Sequence, residues 1–287
     1  MKRRGVAAVC AVLLLTGCAK PAVVEDPAAA AASEAAKARE AVPTVTPSSA
    51  PPGKVTAPPH PDEMTKNVIY RVGKPAVRCA EPKVEATSVA NIRAYYTQSV
   101  ACLNAAWAPV IRKAGFTFTP PKLDVVAGKS PDLPCRRDSS GLYCDGTIYL
   151  DATVDLEGHH EDPKVNRGLM AFVIAHEYGH HVQALTGISK AAYERGLKLN
   201  GVDLALEETR RFELQASCFA GAYFGANSDF RDNASWRTLF DEVLKLVYDP
   251  RYDHGSTKNQ ARWTKAGLAA GDPAACNTYA ATSSEVG

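Results

Sequence analysis

Between Asp162 and Gly187 the chain carries His176-Glu177-Tyr178-Gly179-His180, and this spacing restricts the fold more than any other stretch. Two residues four apart on an α-helix stand about 40° apart around the axis and about 6 Å apart along it. Their imidazoles can therefore converge on one cation. Glu177 points about 100° round from His176, where a carboxylate can reach water next to that cation. The flanks predict where the helix begins and ends. Asp162-Pro163 has the form of an N-cap followed by Pro at the first helical position, and Gly187 stands where the helix would stop. Leu169, Met170, Phe172, Val173 and Ile174 are apolar almost all round, which predicts a buried helix rather than a surface one. Two imidazoles carried into a desolvated region need partners, and a metal ion fits the spacing.

The N-terminal region predicts an exported, membrane-held protein. Lys2, Arg3 and Arg4 precede an apolar stretch from Val6 to Leu15, and Leu15-Thr16-Gly17-Cys18 follows. A stretch of this length is a secretory signal, too short to span a bilayer. The small residues before Cys18 resemble a bacterial lipobox, so residues 1–17 are expected to be removed. Cys18 would then carry lipid and anchor the protein at the outer face of the cell membrane. Residues 18–64 read as a disordered Pro/Ala-rich tether. Residues 19 to 64 hold nine prolines and a dense Ala, Ser, Thr and Glu population, which cannot bury enough surface to offset the entropy of ordering. The folded domain is expected over 65–287, a length that suits one large domain or two lobes.

Charge and cysteine usage narrow the partners. The formal charge is +2, and no basic stretch is interleaved with aromatics, which argues against nucleic acid. Beyond Cys10 and Cys18 there are six cysteines, Cys79, Cys102, Cys135, Cys144, Cys218 and Cys276. An even number in an exported chain predicts disulfides rather than a zinc cluster, for which no close Cys pair of the usual spacing exists. Pairing in chain order gives Cys79–Cys102, Cys135–Cys144 and Cys218–Cys276.

Periodicity supplies the remaining elements. Val89, Ile92, Tyr96, Val100, Leu103 and Trp107 recur at three- and four-residue intervals, predicting a helix over 88–113 that Gly115 closes. Leu123-Asp124-Val125-Val126 is a short strand. The segments 142–144 and 147–150 form a hairpin across Asp145-Gly146. Further helices are expected over about 204–224, 235–248 and 256–270, with His159-His160 in a loop. The fold class is α+β, mainly helical, with a small antiparallel sheet packed by the His176 helix. The strand through Ile148 and Leu150 is expected to be able to accept an extended substrate by strand addition.

A catalytic zinc takes three protein ligands and keeps one position open. Glu207, Glu208, Glu213, Cys218 and His254 are the candidates for the third. Glu213 stands out within the apolar run Phe212-Glu213-Leu214-Gln215-Ala216-Ser217-Cys218-Phe219-Ala220, where a carboxylate needs a positive partner. Cys218 lies about 140° round the same helix and would point away, whereas Ser217 faces the same way as Glu213.

These residues resemble the neutral zinc metallopeptidases of bacteria. The likeness covers about residues 65–287 and is densest in Tyr149-Leu150-Asp151, HEYGHHVQ (176–183) and ELQASCFAG (213–221). It continues in the tail, from Asp253-His254-Gly255-Ser256 through Arg262-Trp263 to Gly271-Asp272-Pro273 and Cys276-Asn277. The resemblance implies a zincin-like peptidase holding one Zn²⁺ with His176, His180 and Glu213, with Glu177 as catalytic base and a peptide or protein as substrate. His254 is expected to donate a hydrogen bond to the oxyanion, with Tyr178 and Tyr252 as alternatives, and His181 to pack or face solvent. In one place the chain departs from the family pattern. Families with this layout commonly carry Asp four residues after the glutamate ligand, to orient a ligand His, and here that residue is Ser217. Ser217 alone favours a second reading, a catalytically silent zinc-binding envelope lipoprotein that holds a protein partner in the same cleft.

Overall fold

The computed structural model describes residues 57–128, 140–227, 229 and 253–287, all within one unit that runs from Val55 to Gly287. The signal segment, Cys18, Cys135, Tyr252 and the helix expected over 235–248 lie outside the described residues. The inner edge of the tether moves. Met64 is fully buried, and Arg195 Nη1 donates to the Pro58 and Pro59 carbonyls at 2.5 and 3.1 Å. Residues 58–64 therefore belong to the folded unit, where composition alone assigns them to the linker.

Helix α1 (Asp62–Thr65) and a 3-10 turn (Val68–Arg71) lead into the long helix α2 (Val89–Lys113). Ser88 caps α2 by accepting from the Asn91 N–H at 3.2 Å, and the chain leaves it at Gly115 with φ +87°. Its apolar stripe, including Ile92, Tyr96, Leu103 and Trp107, is buried as the periodicity predicts.

The sheet is mixed rather than antiparallel. Strands β1 (Lys122–Val126), β2 (Gly141–Cys144) and β3 (Thr147–Asp151) lie in the order β1-β3-β2. β2 and β3 form the expected antiparallel hairpin, with Cys144 opposite Thr147. Asp145 and Gly146 at its tip have φ +44° and +78°, the left-handed pair that a two-residue turn needs. β1 adds to β3 in parallel, Leu123 opposite Ile148. β3 is thus central with a partner on both edges, which corrects the expectation that it could pair with a substrate. Among the described strands, β2 occupies the edge on that side of β3.

Helix α3 (Ala152–Glu161) follows β3 directly and takes in His159 and His160, which the sequence places in a loop. Helix α4 (Pro163–Leu185) carries the His176 motif. Asp162 caps it by accepting from the Lys164 and Val165 N–H groups at 3.0 and 3.1 Å, and it ends before Gly187 at φ +78°. Its residues from Met170 to Gln183 are buried on nearly every side. Helix α5 (Ile188–Gly196) was not visible in the periodicity; α6 (Val202–Ala226) and α7 (Thr257–Ala270) were.

α6 packs across α4 at Gly179. A Cβ added there would lie 2.7 Å from the Ala216 carbonyl oxygen and 2.9 Å from its Cα, so only glycine permits this approach. Disulfides Cys79–Cys102 and Cys218–Cys276 form as paired in chain order, and Cys144 is also disulfide-bonded. The second ties α6 to the C-terminal turns. Gln215 Nε2 adds to it by donating to the Cys276 carbonyl at 3.0 Å.

Candidate metal centre

Helices α4 and α6, locked together at Gly179, set three side chains against one another. Glu213 Oε2 lies 3.2 Å from His176 Nε2 and 3.0 Å from His180 Nε2, and the two Nε2 atoms are 3.2 Å apart. His254, from the segment that enters α7, brings its Nε2 to 3.2 Å from the same carboxylate oxygen. His176, Glu213 and His254 offer ligand atoms that all lie within 4.8 Å of one another, and His180 joins them through His176 and Glu213.

Each imidazole is held from behind by an acceptor at Nδ1. Ser217 Oγ stands 3.1 Å from His176 Nδ1 and Asp253 Oδ1 stands 2.6 Å from His254 Nδ1. Gln183 Oε1 stands 2.8 Å from His180 Nδ1. The Gln183 amide cannot be turned round, because its Nε2 donates to the Phe212 carbonyl and to Gln215 Oε1 at 2.8 and 3.0 Å. With each Nδ1 directed to its acceptor, the Nε2 atoms of all three rings face Glu213. Three imidazole nitrogens and a carboxylate converging in a buried region call for positive charge, supplied by protons or by a bound cation, and nitrogen with carboxylate oxygen is a zinc donor set. The residues therefore fit the ion that the spacing suggests.

The same demand for positive charge governs the protonation of the cluster. Burial opposes charge on His180, but the Glu213 charge and hydrogen bond, with Glu177 and Gln183, outweigh it and push its pKa to about 9. Burial likewise opposes charge on His254, and Glu213 and Asp253 push it to about 10. His176 is held down to about 4, chiefly by burial, with the His180 charge adding to it. Glu213 opposes burial with three imidazoles and stays ionised well below the usual carboxylate range.

Glu177 stands about 100° round α4 from His176, against strand β2, and lines the same cleft. Burial first, then the Glu213 charge, raises its pKa to about 7, while the His180 charge, the His254 charge and the Tyr143 N–H hold it from rising further. That N–H donates to the Glu177 carboxylate. β2 approaches so closely that a Cβ on Gly141 would lie 2.9 Å from Glu177 Oε1 and 2.8 Å from Val173 Cγ1. The strand is tied to α4 once more through His181, whose Nε2 donates to the Thr119 carbonyl at 2.8 Å and whose Nδ1 accepts from the Tyr143 hydroxyl at 3.1 Å. His181 packs, which is one of the two outcomes expected of it.

Residues weighed from the sequence for the third ligand position separate cleanly. Glu207 pairs with Arg211 at 2.7 Å and Glu208 with Arg195 at 2.9 Å, and Cys218 is buried in its disulfide. Of these carboxylates, Glu213 alone reaches both imidazoles. Tyr178 is fully buried, with its hydroxyl donating to Asn104 Oδ1 at 2.7 Å, which corrects the expectation that it could donate to the oxyanion. His159 and His160 stand at the end of α3, outside the cluster. Gln183, Asp253 and the Tyr143 N–H escaped the sequence reading. A helical count of three residues on from His180 would have found Gln183, and the position beside His254 would have found Asp253.

The cluster opens into a cleft of about 930 Å³ between β2 and the α5 side of the fold, whose lining includes Leu142, Tyr143, Ser189, Tyr193 and Phe212. The Phe212 ring stacks on His180 at 4.8 Å. Glu213 keeps 16% of its side chain exposed and His254 28%, against 9% for His176 and His180. His254 therefore stands toward the mouth and the helix pair toward the floor.

Comparison with known proteins gives a consistent answer. The chain is 32% identical over 199 residues to "Uncharacterized protein YpfJ" of Escherichia coli K12, a match over 60% of this chain and 66% of that protein, just under two thirds of its length. It is 27% identical over 212 residues to "Uncharacterized protein Rv2575" of Mycobacterium tuberculosis H37Rv, covering 62% of this chain and 68% of that one. No solved structure matches the chain. A family described as "Putative neutral zinc metallopeptidase" matches residues 74–279. Because that span encloses the whole cluster and most of the folded unit, the chain belongs to the neutral zinc metallopeptidase family.

Proposed function

We propose that the protein is a zinc-dependent peptidase that hydrolyses peptide bonds in the cleft between β2 and α5. The observation that carries this reading is the convergence of His176, His180 and Glu213 beside a buried, separately held Glu177. His176, His180 and Glu213 would hold one zinc ion, since they come from two packed helices and line the floor. Bound there, zinc would supply a Lewis acid that acidifies water and polarises a carbonyl. Glu177 accepts the proton of the attacking water as that water adds to the scissile carbonyl carbon. The bond from carbon to nitrogen then breaks, and Glu177 returns the proton to the leaving amine. Burial of its carboxyl favours taking up that proton, and the Tyr143 N–H holds the carboxylate on the cleft side of α4. His254, fixed by Asp253, turns Nε2 inward from the mouth and donates to the oxyanion as it forms.

The N-terminal sequence supports a site of action outside the cytoplasm, with lipidated Cys18 holding the domain at the outer face of the cell membrane. Elemental analysis of the purified chain, together with cleavage of a mixed peptide library, tests the proposal. One zinc per chain is expected, with cleavage by the wild type and loss of at least about 100-fold in Glu177→Gln. Metal-free folded protein, or cleavage that survives Glu177→Gln, would overturn it.

A further inference from the structure

Helix α5 divides its residues among three flanks. At about 100° per residue, Ile188, Ala192 and Arg195 share the flank that packs inward, and Ile188 and Arg195 are buried. A second flank, with Lys190 and Glu194, forms a groove with Pro58, Pro59 and Lys198, which lies just past the helix. The third carries Ser189 and Tyr193, and Leu197, the C-cap residue that keeps helical φ and ψ, continues it at the same spacing of four. Ser189 and Tyr193 line the same cleft as His180, Glu213 and Phe212, so this flank is a direct continuation of the catalytic cleft. Tyr193 is 70% and Leu197 71% exposed. Single exposed apolar residues are ordinary on a surface, but here two bulky ones extend one wall of the candidate active site in register.

The spacing of that wall matches an extended peptide. Residues four apart on a helix are about 6 Å apart along its axis, and side chains on one face of an extended chain recur every second residue, about 6.6 Å. A peptide leaving the scissile bond along α5 would thus set side chains two apart against Tyr193 and Leu197. The charge of the cleft points the same way. Its described lining includes the carboxylates of Asp145, Glu177, Glu213 and Asp253 and no Lys or Arg, which disfavours an acidic ligand.

Resting on the peptidase reading above, we infer that the Ser189–Tyr193–Leu197 flank of α5 is a substrate subsite. It selects peptides with bulky apolar side chains at two positions separated by one residue, and it discriminates against acidic ones.

The test uses dye-labelled ten-residue peptides carrying Phe-Ser-Phe, Ser-Ser-Ser or Asp-Ser-Asp at otherwise constant flanks. Binding is read by fluorescence anisotropy on the full zinc-loaded chain carrying Glu177→Gln, and cleavage by the wild type is followed in parallel. The Phe-Ser-Phe peptide is expected to bind about tenfold more tightly than Ser-Ser-Ser, with Asp-Ser-Asp weakest. Tyr193→Ser with Leu197→Ser should remove most of that preference, while the thermal midpoint stays unchanged because both positions are exposed. Peptides cut by the wild type with a preference that survives both substitutions would overturn this inference alone. So would substitutions that abolish sedimentation with phosphatidylglycerol vesicles and leave peptide preference intact, since the flank would then face lipid. If no peptide is bound or cut even by the unsubstituted flank, the peptidase reading fails and takes the subsite with it.

Discussion

The three imidazoles of the cluster lean on acceptors of different strength: a carboxylate behind His254, an amide oxygen behind His180 and a hydroxyl behind His176. Ser217 stands where the family resemblance implies an Asp, and it reaches His176 Nδ1 at 3.1 Å. It therefore keeps the orienting bond without the charge that would make His176 a stronger donor to a cation. Partners of this kind are worth about 10–100-fold in metal affinity or activity. Ser217→Asp is expected to tighten zinc binding by about tenfold and Ser217→Ala to weaken it by a similar factor, read by competition against a chromophoric chelator. Equal zinc affinity in all three proteins would show that His176 needs no such partner. The legibility of the site follows the same division. His176, His180, Glu177 and Glu213 could be read because helical spacing and an apolar surround mark them. Gln183 looks like any polar residue on a helix until Phe212 and Gln215 fix its amide, and the Tyr143 N–H, being backbone, leaves no mark in the sequence.

At the scale of elements, two glycines decide how close the walls of the cleft come, and they act on different parts of the chemistry. Gly179 lets α6 lie against α4, carrying Glu213 and Ser217 to the helix that holds the two imidazoles. Gly141 lets β2 lie against the Glu177 side chain. An added methyl at Gly179 meets rigid backbone at Ala216, so Gly179→Ala must push the helices apart, an overpacking cost of about 1–3 kcal/mol. The methyl of Gly141→Ala meets chiefly side chains, at Val173 and Glu177. Gly179→Ala is therefore expected to lower both the unfolding midpoint and zinc content. Gly141→Ala should keep zinc while cutting kcat by about tenfold or more, because only the proton carrier is displaced. Zinc loss in the β2 variant with zinc retention in the helix variant would contradict this assignment. The elements themselves were legible wherever caps and periodicity agree, as at Ser88, Asp162 and Ser256. Helix α5 was missed because a nine-residue helix with one buried flank shows too little periodicity, and β1 joined in parallel because pairing direction is set by the returning chain.

Across the whole molecule, the contacts that the sequence hides are those between segments far apart in the chain. Pro58 and Pro59 look like linker until Arg195 takes their carbonyls, and nothing in local pattern says that a distant arginine will do so. Asp155 is a second case, and it has a consequence for stability. It lies on α3, its carboxylate accepts the Tyr96 hydroxyl of α2 at 2.8 Å, and its carbonyl accepts from Asn166 of α4 at 2.9 Å, so three helices meet at this residue. Burial is the main reason its pKa rises to about 7. The Asp151 charge adds to that, and the Tyr96 hydrogen bond only partly offsets it. In the unfolded chain the same group titrates near the ordinary value of 3.8. A folded pKa above the unfolded one means that the native state binds more protons between those values. The contribution of Asp155 to stability is therefore complete below about pH 4 and is lost as pH rises through about 7, at up to about 1.4 kcal/mol per pH unit. Asp155→Asn removes the titration while keeping an oxygen for Tyr96 to donate to. Relative to wild type, the variant should gain about 2 kcal/mol in urea unfolding between pH 5 and pH 8. A wild-type-minus-variant difference that stays flat over that range would mean that the buried carboxyl never takes up its proton.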